Sequence, residues 1–402
     1  LLLLVAAFIL SRLVTFFFVF QPLALGSSFG DLEKYESWGT AVLDDPASAY
    51  SSNDLEYPPG VLPFLSFARS VTPPEGGFTQ SFAWTMLLVD IASFAGVILL
   101  WRRWGAAWGP LVWILGLPAL GPVIYLRLDL IPTACLIWAM VAAAHGWWRS
   151  SGGALGLGVL AKVYPVFLVP VFFVASPRRK QLLVGLAVSA GVILVPLVIA
   201  GEVPALIADV AGYHGARGVQ LESTWGSLLV LASKFGYPVT LNYQFGSLEA
   251  LSGISQTLKT AGLGLSLIAV GWISWSAFLK LRQGDLVKLS LIVFGTIAIL
   301  LFLGTVYSPQ FSVWLLGAAA VALCAPLPPN LRAVLMLSLP VALLTQAVFP
   351  HTYAALFGPF FGDDHGLRHS VALTVLLARN LLVGAAGALT LLMTQRWSPD
   401  QP

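Results

Sequence analysis

Charge is scarce in this chain. Asp, Glu, Lys and Arg make up 10% of its 402 residues, where an average soluble domain carries roughly 25%. That scarcity excludes a soluble domain of useful size. The formal net charge of +3 sits mostly in short links rather than on one basic face, which implies no nucleic-acid partner. Cysteine is rarer still. Cys135 and Cys324 each fall inside an apolar run, so they read as packing residues with neither a disulfide framework nor a metal motif. No nucleotide-phosphate loop, nucleophilic-serine elbow or zinc spacing occurs. The two halves do not repeat in the manner of transporters built from paired broken helices.

Apolar sequence is abundant instead. Hydrophobic residues make up 58% of the chain, and the mean hydropathy is +0.86. Runs of roughly 20 apolar residues recur, each able to cross a hydrocarbon core about 30 Å thick. The pattern predicts spans over 2–21, 79–101, 108–125, 130–148, 181–200, 258–280, 286–306, 311–327, 332–349 and 370–394. Residues 1–21 read as a first span rather than a cleaved leader. The expectation is an all-α polytopic integral membrane protein in one domain over 1–402, with about ten to twelve membrane helices. Some of these are short or re-entrant, and outer-face loops and interfacial helices complete the chain.

With the start of the chain inside, the inner links hold Arg102, Arg103, Arg149, Arg178, Arg179, Lys180, Lys280, Arg282, Lys288, Arg332 and Arg396, as the positive-inside rule requires. Of the 18 acidic residues, only Asp285 and Asp400 fall on that side, and Asp90 lies within a span. The working face is therefore expected to be external and acidic. Its elaborations are 22–78, 201–257 and 350–369, with interfacial helices at 61–70 and 224–235.

Segment 152–175 is flanked by positive charge at both ends and interrupted by Lys162-Val163-Tyr164-Pro165. Two arms of about 10 helical residues, each rising roughly 15 Å, would enter to about mid-membrane and return. Pro165 favours the break, which places Lys162 at the tip; an intramembrane lysine is a functional hypothesis by default. A single span with Lys162 buried or snorkelling is the alternative.

Asp31 is the candidate catalytic carboxylate. It follows Gly30, which permits close backbone approach, about ten residues beyond the first span. The neighbouring acids, Glu33, Glu36, Asp44, Asp45 and Asp54, read as a solvated face. Glu56-Tyr57-Pro58-Pro59-Gly60 makes a rigid turn back to the membrane, where Glu56 either fixes the turn or holds a sugar hydroxyl. Arg127 and Asp129 share a very short outer turn, and His214, Arg217, Gln220 and Glu222 lie in the second outer loop. Arginines offer a bidentate fork to a phosphate leaving group; the plainer reading is an Arg127–Asp129 or Arg217–Glu222 ion pair that fixes a loop. Gln310, in Ser308-Pro309-Gln310-Phe311, and His351 add polar groups at the same depth, although the first set also suits a helix-capping turn. Asp363-Asp364-His365 reads as a solvated turn rather than a metal site.

Taken in order, these pieces resemble the membrane-embedded GT-C glycosyltransferases. The nearest likeness is to family 87, the polyprenyl-phosphate-mannose-dependent α-1,2-mannosyltransferases of actinobacteria. The carrying residues are Gly30-Asp31…Tyr35, Glu56 to Gly60, Arg127…Asp129, Gly156-Leu157-Gly158…Lys162-Val163-Tyr164-Pro165, Arg217 to Ser223, Ser308 to Phe311 with Trp314, and Arg379-Asn380. The resemblance implies a GT-C-like bundle, an Asp general base that maps onto Asp31, a lipid-phosphate sugar donor reached from the bilayer, and no metal or nucleotide sugar. Mannose is the expected sugar and a glycolipid or glycan hydroxyl the expected acceptor, on the extracytoplasmic face of a bacterial cell membrane. Arg127, Lys162, His214 and Arg217 are then the donor-phosphate ligands. Tyr35, Glu56, Tyr57, Asp129, Tyr164, Gln220, Glu222, Gln310 and His351 are the sugar or acceptor contacts. The rival readings are a polysaccharide ligase or polymerase using lipid-linked sugars, a secondary transporter and a non-catalytic envelope scaffold. Polar chemistry on one face rather than at a midplane disfavours the transporter.

Overall fold

A computed structural model describes residues 1–21, 30–53, 55–362 and 366–397, and of His214 the backbone alone. The predicted position of Asp54 and the Asp363-Asp364-His365 turn fall outside the described residues. The chain begins with α1 (Leu2–Val19), α2 (Asp31–Asp44), α3 (Leu62–Ser70), α4 (Phe78–Trp104) and α5 (Trp108–Leu120). It continues through α6 (Leu130–Ala144), α7 (Trp148–Ala161), α8 (Val169–Ala175), α9 (Arg179–Ala200), α10 (Val203–Ala216) and α11 (Thr224–Ser233). A hairpin follows, β1 (Thr240–Gln244) and β2 (Ser247–Leu251). The last part holds α12 (Ser255–Lys280), α13 (Leu286–Leu303), α14 (Ser312–Ala322), α15 (Pro329–Met336), α16 (Ser338–Gln346), α17 (Tyr353–Phe357) and α18 (Leu367–Arg396).

The protein is an α-helical, multi-pass membrane protein. Among the described residues, 7 helical stretches are long and apolar enough to cross a bilayer: α1, α4, α9, α12, α13, the composite stretch Pro329–Phe361 and α18. Several expected spans come out shorter. The run 108–125 ends as α-helix at Leu120, because Gly121 takes φ +91 and a 3-10 turn over Pro122–Leu126 follows. The run 130–148 stops at Ala144, before Gly146 at φ +75. The run 311–327 yields only the 11 residues of α14. Helices α3 and α11 form where short interfacial helices were expected.

Two departures concern the outer elaborations. The acidic stretch from Asp31 is helix α2 rather than loop, opened by Gly30 in the left-handed region at φ +80. A Cβ on Gly30 would meet nothing within 4 Å, so the glycine serves its backbone angle and not a close approach. The second elaboration holds α10 and an antiparallel hairpin turning on Phe245 (φ +52) and Gly246 (φ +69), the paired positive angles of a tight hairpin turn.

The chain folds as two compact units, Leu1–Gly105 with Pro122–Ala216, and Ala106–Gly121 with Arg217–Pro402. In the first, α7 and α9 pack closely over small residues. A Cβ on Gly152 would lie 2.0 Å from the Leu182 carbonyl, and one on Gly156 would lie 2.0 Å from Ser189 Oγ. Contacts at 152 with 182 and at 156 with 189 mean that the two helices run parallel. The chain between them must therefore double back. Helix α7 has 14 residues and rises roughly 21 Å, short of a full crossing. It breaks at Lys162, and the one-turn 3-10 helix Tyr164–Leu168 with α8 makes the return. The flanking basic residues Arg149 and Arg178 to Lys180 thereby share one end, which is the out-and-back path expected from the sequence.

The same unit contains a buried ion pair. Arg12 of α1 donates through Nε to Asp90 Oδ2 at 2.7 Å and through Nη2 to Oδ1 at 3.2 Å, while the Tyr125 hydroxyl donates to Oδ2 at 2.6 Å. Helices α1 and α4 and the turn leading to Arg127 are thus tied at one point. Charges this deep are tolerated when paired. In the second unit, α14 is buried on every side and is packed by α5, α13 and α16.

Candidate active site

Asp31 is the first residue of α2, where a carboxylate is favoured by the helix dipole. Its Oδ2 accepts a hydrogen bond from Arg127 Nη1. The two differ in access: 21% of the Asp31 side chain is exposed against 5% of Arg127. Next to them, Lys162 Nζ donates to Asp129 Oδ1 at 2.7 Å, and Asp129 is fully buried. The sequence suggested an Arg127–Asp129 pair as the plain reading. The structure instead gives Arg127 to Asp31 and Asp129 to Lys162, two salt bridges made by residues 96 and 33 positions apart.

Tyrosines wall this cluster. The Lys162 ammonium lies 5.3 Å from the centre of the Tyr57 ring, and Tyr35 meets Tyr57 edge-on with centroids 6.2 Å apart. Burial, and then the nearby negative charge of Asp31, pushes the Tyr35 phenol well above its ordinary range. Burial with the Tyr35 phenol and the Asp129 and Asp31 carboxylates does the same to Tyr57. Both therefore act as neutral hydroxyls. For Arg127, burial opposes the charge, but Asp31, the two tyrosines and Asp129 outweigh it, so the guanidinium is held charged. Tyr164 is buried beside Asp129 and Thr133.

The Glu56 turn builds this site from the opposite side. Glu56 pairs with Lys34 of α2 at the exposed rim, which favours its turn-fixing reading. Gly60 then presses on the end of α7: a Cβ there would lie 2.6 Å from the backbone of Leu160 and Ala161. Only glycine lets the Pro59–Val61 turn sit that close to the break that presents Lys162.

The remaining expected residues divide otherwise. Of His214, the side chain lies outside the described residues. Arg217, Gln220, Glu222, Gln310 and His351 belong to the second unit. There, Val219 and Leu221 pair with β2 through the Ala250 amide donating to the Val219 carbonyl and the Leu221 amide donating to the Leu248 carbonyl, both at 2.8 Å. Arg217 Nη2 donates to Ser247 Oγ at 3.0 Å, and the Gly218 amide donates to Glu249 Oε2 at 2.8 Å. A carboxylate whose charge interacts with Arg217 is Glu249, which is buried and was not picked out from the sequence. Its burial raises its proton affinity, against the pull of Gly218, Arg217 and Lys259.

Gln220 is fixed by the Tyr307 amide at 2.8 Å and by Ser308 Oγ at 3.1 Å. Glu222 is buried, and its backbone carbonyl accepts from both Arg379 and Asn380 of α18. The Arg379 guanidinium lies 4.0 Å from the Tyr307 ring centre. Gln310 is buried in the one-turn helix Pro309–Phe311, whereas His351 is exposed and meets Gln346 at 3.4 Å. Among the described residues, no cluster of three or more His, Cys, Asp or Glu side chains could hold a metal ion.

A model of the family described as glycosyltransferase family 87 matches residues 56–309, well over half of the chain. The chain belongs to glycosyltransferase family 87. It is thus a membrane glycosyltransferase of the GT-C superfamily that draws on a lipid-linked sugar. The matched part of this glycosyltransferase holds Glu56, Arg127, Asp129, Lys162, Arg217, Gln220 and Glu222, while Asp31, Gln310, His351 and Arg379 lie outside it. No curated protein matches the chain.

Proposed function

We propose that this glycosyltransferase moves mannose from a polyprenyl-phosphate donor to a hydroxyl of a glycolipid or glycan acceptor, at the extracytoplasmic face of a bacterial cell membrane. The observation that carries the reading is the pairing of a partly exposed carboxylate, Asp31, with the buried cation Arg127, beside the Lys162–Asp129 pair. Family membership, and the acidic residues predicted on one face, agree with it.

In the proposed step, Asp31 takes the proton of the acceptor hydroxyl. The hydroxyl oxygen bonds to the anomeric carbon from one face as the bond to the phosphate oxygen breaks on the other. Configuration inverts through an oxocarbenium-like transition state, as in single displacement at sugars. Phosphate leaves as an anion and needs no general acid. Arg127 and Lys162 stabilise its charge in a poorly screened setting. Arg127 has several N–H donors, so it can hold a phosphate oxygen while it positions Asp31. Tyr35, Tyr57 and Tyr164 offer neutral hydroxyls or ring faces to the sugar.

The experiment is transfer from polyprenyl-phospho-mannose by the purified protein, with products read by mass spectrometry. Asp31→Asn should lose about 10²–10⁴-fold in turnover while still binding donor. Arg127→Gln should lose donor affinity instead. Wild-type turnover in the Asp31 variant would remove the assignment, and transfer only from another lipid-linked sugar would replace mannose.

A further inference from the structure

The second unit contains a groove that the glycosyl-transfer chemistry does not use. It lies between α12, α13 and α18 as an open groove whose sheltered volume is about 50 Å³. Its apolar walls include Trp272, Ile273, Ile292 and Leu391, and two lysines, Lys280 and Lys288, line it as well. From Trp272 to Lys280 is eight residues of α12, or roughly 12 Å along the helix axis. Apolar lining therefore runs most of the roughly 15 Å depth of one leaflet's hydrocarbon before it meets the ammonium groups.

Three features show what this groove takes. First, it is open towards lipid: Trp272 is 52% exposed and Trp275 60% exposed, and Trp275 stacks on Phe278. Second, the charge at this end is mainly positive. Arg282 and Arg396 accompany the two lysines. Asp285, an acid at this end, accepts from the Lys288 amide at 3.0 Å as the cap of α13. Third, these residues fall in links that the positive-inside rule assigns to the cytoplasmic side, where anionic lipids concentrate.

We propose that this groove binds one anionic glycerophospholipid of the inner leaflet, with the phosphate between Lys280 and Lys288 and an acyl chain along Trp272, Ile273 and Leu391. A basic pocket between membrane helices is a general way of holding such a headgroup. The site is separate in chemistry from sugar transfer, and neither lysine belongs to the proposed catalytic cluster.

The test is native mass spectrometry of the full chain in neutral detergent, with equimolar phosphatidylglycerol and phosphatidylcholine of matched acyl chains. One phosphatidylglycerol should be retained in preference, and in Lys280→Gln/Lys288→Gln that preference should fall by roughly tenfold or more. Both lysines are at least partly exposed, so the variant should fold; its lipid-free melting temperature checks this. Equal retention of the two lipids by the wild type overturns the proposal without any variant. So does a preference unchanged in the double variant. Preference for undecaprenyl phosphate over phosphatidylglycerol, when the two are offered together, also overturns it, because the groove would then serve the donor's lipid.

Discussion

At the scale of single residues, position in the fold separates carboxylates that look alike in sequence. Asp31 and Glu56 were both legible as candidates, since each sits in an acidic, aromatic stretch after a first span. Only the structure divides them, pairing Asp31 with buried Arg127 and Glu56 with exposed Lys34. Glu202 was not legible at all, since nothing in its neighbours marks it. Its carboxylate accepts from the Tyr50 amide at 2.7 Å, the Ser51 amide at 2.9 Å and the Ser51 hydroxyl at 2.7 Å. Burial works to raise its proton affinity, but those donors outweigh it and the pKa lies below the ordinary carboxylate value. A carboxylate depressed in this way stabilises the fold fully above the unfolded pKa, about 4.3. The contribution is lost as pH falls through the lower folded value. Glu202→Gln should therefore cost about 1–2 kcal/mol at neutral pH and flatten the acid limb of a melting curve recorded from pH 7 to pH 3. An unchanged acid limb would mean that Glu202 does not titrate with folding.

At the scale of elements, the break at Lys162 was readable because proline and lysine interrupt an apolar run flanked by positive charge on both sides. The parallel contact of α7 with α9 was not readable, although its glycines were. Small residues let membrane helices approach, but a sequence does not say which partner they face. Gly152→Val tests the packing. Its side chain would meet the Leu182 carbonyl, where even a Cβ lies 2.0 Å away, and overpacking of this kind costs typically 1–3 kcal/mol. Thermal melts in detergent should show the loss, with Gly153→Ala as a milder control, since a Cβ there lies 3.8 Å from its nearest neighbour. Equal melting of both variants would argue against the parallel pairing. The hairpin was missed for another reason. Thr240 to Leu251 is short and polar inside a chain dominated by helical runs, so its pattern does not separate a hairpin from a loop. The buried Arg12–Asp90 pair was half visible: Asp90 stood out in its span, while Arg12 was hidden in the first apolar run. A lone acid inside a membrane helix calls for a partner, and that signal could have found it.

At the scale of the whole molecule, composition and hydropathy gave the class directly, because a bilayer admits few solutions for a chain so poor in charge. The number of full crossings was less legible: a run of apolar residues fixes potential length, whereas Gly121 and Gly146 end helices through backbone angles that hydropathy does not see. Orientation rests on the distribution of Lys and Arg, and cysteine labelling in intact membranes checks it. Ser48→Cys should react with an impermeant maleimide added outside, and Gln283→Cys should react only after permeabilisation. Cys324 is buried and Cys135 half-buried, so the parent protein labelled in parallel sets the background. The reverse pattern would place the Asp31 cluster in the cytosol and refute an extracytoplasmic transfer.

Helix α5 belongs with a part of the chain made much later. Its Gly109 lies against Ala320 and Cys324, and its Gly116 against Leu316, all about 200 residues downstream on the ribosome. Until those positions emerge, a 13-residue helix must wait in the translocon's neighbourhood without its neighbours, while sequence on both sides of it is already assembling. Biogenesis of this enzyme therefore has a built-in delay, and nascent chains halted before residue 310 should be the ones that quality-control proteases and insertion chaperones hold longest.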